Sequence, residues 1–210
     1  MEIKYNGSYR HHIGSLQYLA TLTRSDLVYA VQRLATYNNN PNILAWEGIH
    51  RIYRYLAHDV IRPIFFPAYS LDLDSPIKVQ ITKDKEECLT IPNGPALFTD
   101  IDLAGDLATR FSYACSIITM FGVIIYIKVI KSQTVFPHTT DAEMYATYIG
   151  VHKLRVVRSL FNNMGLHTLA NKPTITYGDN AATLSVIEST RITPRVHHFD
   201  IPIAYLHFYP

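Results

Sequence analysis

The chain is poor in the features that most quickly classify a protein. It has two cysteines in 210 residues, Cys88 and Cys115. They lie far apart, in no CxxC or Cys/His pattern, which excludes a zinc finger and a disulfide scaffold and leaves a reducing compartment as the default. Charged residues make up only 17% and the net charge is +2. That balance is too mild to announce nucleic-acid binding by itself. No long apolar run is present. The longest, Ile117 to Ile130, is broken by Thr119, Gly122 and Lys128. It is too short and too β-branched for a membrane span and reads as two buried strands joined near Phe121-Gly122. Met1 to Arg10 is polar, so no signal peptide is expected, and no membrane partner. What is abundant is apolar side chain, 48% of the chain, with fifteen tyrosines and ten histidines. A sizeable core is expected and wholesale disorder is not.

The first third reads as helical. Ile13 to Ala20 is apolar and short. Thr23-Arg24-Ser25-Asp26 offers a helix start with Ser25 or Asp26 as N-cap, followed by Leu27, Ala30, Val31 and Leu34 at helical spacing. Pro41 bars continuation. A second helix carries the stripe Ile43, Trp46, Ile49, Ile52, Tyr53 and Leu56, with His50, Arg51, Arg54 and His58 off it. Those cations are a solvated face or a face for phosphates. Pro63, Pro67 and Pro76 then mark loop and edge strand. Pro92-Asn93-Gly94-Pro95 is the strongest boundary signal, and the expected division is 1–75 and 76–210.

Strands follow at Ala96–Asp100, Ser112–Met120 and Val123–Lys131. Thr139 or Thr140 can cap a helix through Glu143 and Met144 that Gly165 closes. Ile175 to Asp179 is a fourth strand, Ala181 to Glu188 a helix, and Asp200-Ile201-Pro202 opens a last one. This order predicts an α/β fold with a mixed sheet and flanking helices. Four carboxylates lie at its punctuation points: Asp100 and Asp179 at strand ends, Glu143 and Asp200 at helix starts. Ligands bind at such edges of α/β sheets. An acid at the end of a buried strand needs a cationic partner. Hard oxygen donors suit Mg²⁺ or Mn²⁺, and two such ions roughly 4 Å apart can hydrolyse a phosphodiester without a protein nucleophile.

At these residues the sequence resembles the carboxy-terminal part of a copia-type retrotransposon polyprotein, the tail of the reverse transcriptase followed by its ribonuclease H domain. Tyr9 to Tyr55 is similar to the thumb-and-connection segment, marked by G-S-L-x-Y-L-A, T-R-x-D-L-x-Y-A-V, N-P and a Trp followed by R-I-x-R-Y-L. Asp100 to Arg110 is similar to D-A-D-W-A-G-D, and Thr140 to Ala146 to T-E-A-E-Y-x-A. Tyr177 to Ala182 is similar to C-D-N-x-x-A, and Arg195 to Ile201 to R-x-K-H-I-D-I. Five motifs in one order cover nearly the whole chain. The resemblance implies a ribonuclease H-like mixed sheet preceded by a small, mostly helical thumb/connection segment. It implies Asp100, Glu143, Asp179 and Asp200 as metal-binding, catalytic carboxylates for two Mg²⁺ or Mn²⁺ ions. The expected substrate is an RNA–DNA hybrid, gripped by Lys128, Lys131, Arg51, Arg54 and His198, and the expected partner is the upstream polymerase part. The expected place is the cytoplasm, within retrotransposon particles, or the nucleus. Asp102 reads as a support or turn residue, and Asp106 lies outside the ligand set.

The sequence also departs from the family. Leu103 stands for the Trp, Ala114-Cys115 for Ser-Gly, and Ile127 to Ser132 for the basic W-K-S-K-K-Q. Pro137 and His138 replace small residues. The paired Tyr-Asp-Asp turn of a polymerase palm is absent, so the chain is not expected to copy a template. The competing reading is a truncated, catalytically silent relic that at most binds nucleic acid.

Overall fold

The computed structural model describes residues 8–60, 76–80 and 88–188. The chain divides into two compact units, one helical and one built on sheets.

The helical unit holds α1 (Ser8–Leu22), a 3₁₀ turn (Ser25–Leu27), α2 (Val28–Ala35) and α3 (Ile43–His58). Tyr9, Ile13, Leu16 and Ala20 line one face of α1 and are buried with Val31, Trp46, Ile49 and Ile52. Their spacing of three and four makes α1 a full helix where the sequence suggests only a short apolar run. Asn42 caps α3, its side chain accepting the Ala45 N–H at 2.8 Å. The expected cap at Ser25 or Asp26 is not made. Asp26 instead accepts Arg24 Nε and Nη2 at 3.1 and 2.9 Å and the Tyr55 hydroxyl at 2.8 Å. A buried guanidinium outcompetes a free backbone N–H for that carboxylate.

In the second unit β1 (Pro76–Gln80) and β2 (Cys88–Pro92) pair antiparallel. The sequence does not announce β2, a short run with no alternating pattern. The principal sheet has the order β5-β4-β3-β6, from β3 (Ala96–Asp102), β4 (Tyr113–Met120), β5 (Val123–Lys131) and β6 (Ile175–Tyr177). It is mixed: β3 runs antiparallel to β4, with Asp100 opposite Cys115, and parallel to β6, with Phe98 opposite Tyr177. Phe121 and Gly122 join β4 to β5, and both have positive φ. Two successive positive angles are what a tight type I′ hairpin requires.

The long helix α4 (Thr139–Asn163) packs on this sheet, its Met144, Val151 and Leu154 against Leu97 and Ile118. Gly150 makes the approach close, since a Cβ there would lie 2.7 Å from Thr99 Cγ2. Thr139 and Thr140 are in the helix and do not cap it. Gly165, with positive φ, ends it. The Leu166 N–H reaches Phe161 O and the Gly165 N–H reaches Asn162 O. That pair of bonds is a Schellman closure. α5 (His167–Asn171) leads to β6, and α6 (Ala181–Glu188) follows. Among the described residues no helix is long and apolar enough to cross a membrane.

Candidate metal centre

Alternation along β3 turns Leu97 and Ile101 toward α4 and leaves Asp100 exposed near the strand's carboxyl end. Its Oδ1 accepts the Ile101 N–H at 2.8 Å. β6, parallel to β3, delivers Tyr177, Gly178 and then Asp179 at the same edge. Asn180 follows at the start of α6, its side chain accepting the Thr183 N–H at 3.1 Å. Glu143 comes from α4, where it is the fifth residue and buried. Each of Asp100, Glu143 and Asp179 presents an oxygen, and these oxygens lie within 4.8 Å of one another.

Such crowding leaves an electrostatic mark. The Glu143 carboxyl is pushed up to about 7, first by burial, then by the charges of Asp179 and Asp100 and by a hydrogen bond with the Asp179 carboxyl. The Cys115 thiol, across the ladder from Asp100, is pushed up to about 11 by burial and by that same acid. Three hard oxygen donors on three separate elements, kept together against their own repulsion, fit a divalent ion of the Mg²⁺ or Mn²⁺ kind.

Asp200 and His198 lie outside the described residues. Asp102 folds back at the strand end, where its carboxylate occupies the space a Gly105 side chain would need. Asp106 stands apart from the cluster: it takes the Lys131 ammonium, the Thr109 hydroxyl at 2.8 Å and the Ala108 N–H at 3.0 Å. Lys131 holds its carboxyl well below the usual range. Of the candidate phosphate contacts, Lys131 is therefore ion-paired, while Lys128 on β5 and Arg51 and Arg54 on α3 are exposed.

Two features of the site escape the sequence reading. Phe98 and Tyr177 stack at 4.7 Å and 11° beside the acids. With Asp100, Cys115, Ile117 and Asp179 they line a cleft of about 300 Å³. The signal is present, because Phe98-Thr99-Asp100 and Tyr177-Gly178-Asp179 repeat one aromatic-x-Asp pattern on what become neighbouring parallel strands. Second, Thr99 and Thr147 lie behind the acids with their hydroxyls 3.3 Å apart.

Comparison with known proteins finds similarity to retrovirus-related Pol polyproteins of plant transposons. The chain is 28% identical over 193 residues to the retrovirus-related Pol polyprotein from transposon RE2 of Arabidopsis thaliana. It is 26% identical over 193 residues to that from transposon RE1 of the same plant. It is 24% identical over 196 residues to that from transposon TNT 1-94 of Nicotiana tabacum. Each match takes in 92% of this chain and 12–13% of the relative, so the chain spans about an eighth of the length of these polyproteins. No family model matches the chain. No solved structure matches it.

Proposed function

We propose that this chain is the ribonuclease H part of a retrotransposon reverse transcriptase and hydrolyses the RNA strand of RNA–DNA hybrids. The observation that carries the reading is the meeting of Asp100, Glu143 and Asp179 at one sheet edge. The similarity to Pol polyproteins supplies the context in which such a cluster has a substrate. The three acids would hold two divalent ions, and the resemblance adds Asp200 to that set. When bound, such ions would supply activation of a water and stabilisation of the phosphodiester's leaving oxygen. The chain's own contribution is placement. Asp100 and Asp179 present their carboxylates to solvent, where a phosphate can approach. Glu143, buried behind them, has its proton affinity raised by burial and by the neighbouring acids, so a cation binding there would compete with a proton. Arg51, Arg54, Lys128 and His198 give salt-dependent contacts to phosphates with little sequence preference, whereas Lys131 is held by Asp106.

A labelled RNA–DNA hybrid with Mg²⁺ or Mn²⁺ tests this. The unsubstituted chain should cut the RNA strand, and Asp100→Asn should abolish cutting. That substitution keeps the shape and removes one repelling charge, so the metal-free melting temperature should be equal or higher. A pure, folded, metal-loaded chain that never cuts a hybrid would overturn the assignment and leave a silent relic.

A further inference from the structure

Among the three described acids of the cluster Glu143 is the one carried by a helix, so its reach depends on where α4 sits along the sheet. Two hydroxyl bonds bracket it. The Thr147 hydroxyl donates to the Glu143 carbonyl at 2.9 Å, one helical turn back. That uses its single proton. In the 3.3 Å contact between Thr99 and Thr147 the Thr99 hydroxyl must therefore be the donor. The result is a directed chain, Thr99 to Thr147 to the Glu143 backbone, that ties β3 to α4 one residue from Asp100. On the other side, the buried Thr183 of α6 reaches the Thr140 carbonyl at 3.4 Å. Thr99 and Thr147 are themselves buried, and the gap they share with Glu143, Asn180 and Thr183 is about 10 Å³. That is room for at most one water, so the helix has little slack.

We infer that Thr99 and Thr147 are positioning residues, whose paired hydroxyls set α4 so that the Glu143 carboxylate meets those of Asp100 and Asp179. The inference rests on the metal-centre reading above and adds to it what holds the ligand set in register. Groups that orient metal ligands without touching the metal are worth about 10- to 100-fold in affinity when lost. Valine and serine divide the possibilities cleanly. Valine keeps the shape of threonine and loses the hydroxyl. Serine keeps the hydroxyl and loses the methyl.

The test is Mn²⁺ titration of the full 210-residue chain by calorimetry, with circular dichroism to verify folding. Thr147→Val should weaken Mn²⁺ binding at least about tenfold, and Thr147→Ser should restore it. Thr99→Val and Thr99→Ser should behave in the same way. The double valine variant should be little worse than either single one, because each breaks the same chain. The opposite pattern, binding kept by valine and lost with serine, makes the threonines packing residues and overturns the proposal. So does binding left intact by all four substitutions. If Thr147→Val does not fold, the Thr99 pair decides. Failure of the unsubstituted chain to bind Mn²⁺ would overturn the metal centre itself, and this inference with it, and is told apart because the parent fails before any variant.

Discussion

Glu143 is held where its charge is least welcome, and that fixes how the metal-free protein must respond to pH. Its carboxyl is raised to about 7 in the folded chain from the ordinary 4.5. The folded state therefore binds this proton more tightly than the unfolded state. The associated stability is complete below pH 4.5 and is lost as pH rises through about 7. With solvent screening allowed for, the loss is roughly 2 kcal/mol. Glu143→Gln should flatten this slope, raising the metal-free melting temperature above neutral pH while leaving it nearly unchanged in the ordinary carboxylate range. Thermal denaturation across that range in chelator checks it. Asp26 and Asp106 act in the opposite direction. Arg24 lowers the first to about 2, and Lys131 lowers the second. Their contributions are present above the ordinary carboxylate range and vanish as pH falls below it. Asp106→Asn should thus lower the melting temperature at neutral pH, yet leave Mn²⁺ affinity as it was, since its partners are the end of β5 and the β3–β4 loop and not the acid cluster.

The elements show what a sequence can and cannot announce. β3 and β6 are legible because each runs into an acid, and β4 and β5 because one β-branched apolar run is broken at Phe121-Gly122. The close of α4 is legible in Gly165. Caps are not: Ser25, Asp26, Thr139 and Thr140 all have the right chemistry, but which oxygen a backbone N–H receives is decided by distant competitors. Asp26 goes to a guanidinium that its own helix start brings near. Of the acids, Asp100, Glu143 and Asp179 can be named from their punctuation points, whereas Cys115 and the Phe98–Tyr177 stack depend on strand register, which single strands do not reveal. Gly150 illustrates the same limit. In the sequence it is a helix-weakening residue, and in the fold it is a point of close approach between α4 and β3. Gly150→Ala should press a methyl on Thr99 and Leu97 and shift Glu143 out of reach of its partners. Such overpacking should lower stability by about 1–3 kcal/mol. Denaturant unfolding and Mn²⁺ titration on the same sample measure both effects.

For the whole molecule the mild net charge matters less than where the free cations stand. If Arg51 and Arg54 each meet a phosphate, replacing both by Ala should reduce the slope of log affinity against log salt for a hybrid by about two. Replacing Lys128 and Lys131 together should reduce it by about one, since Lys131 already neutralises Asp106. Unchanged slopes would return these residues to ordinary solvated surface. The exposed turn at Gly165 has a further consequence. It joins a stretch carrying Asp100 and Glu143 to a stretch carrying Asp179. A chain severed there would yield two polypeptides, neither able to assemble the three carboxylates alone. Mixing them would restore cation capture only where the halves re-form β3 beside β6, making the acid cluster a built-in reporter of fragment complementation.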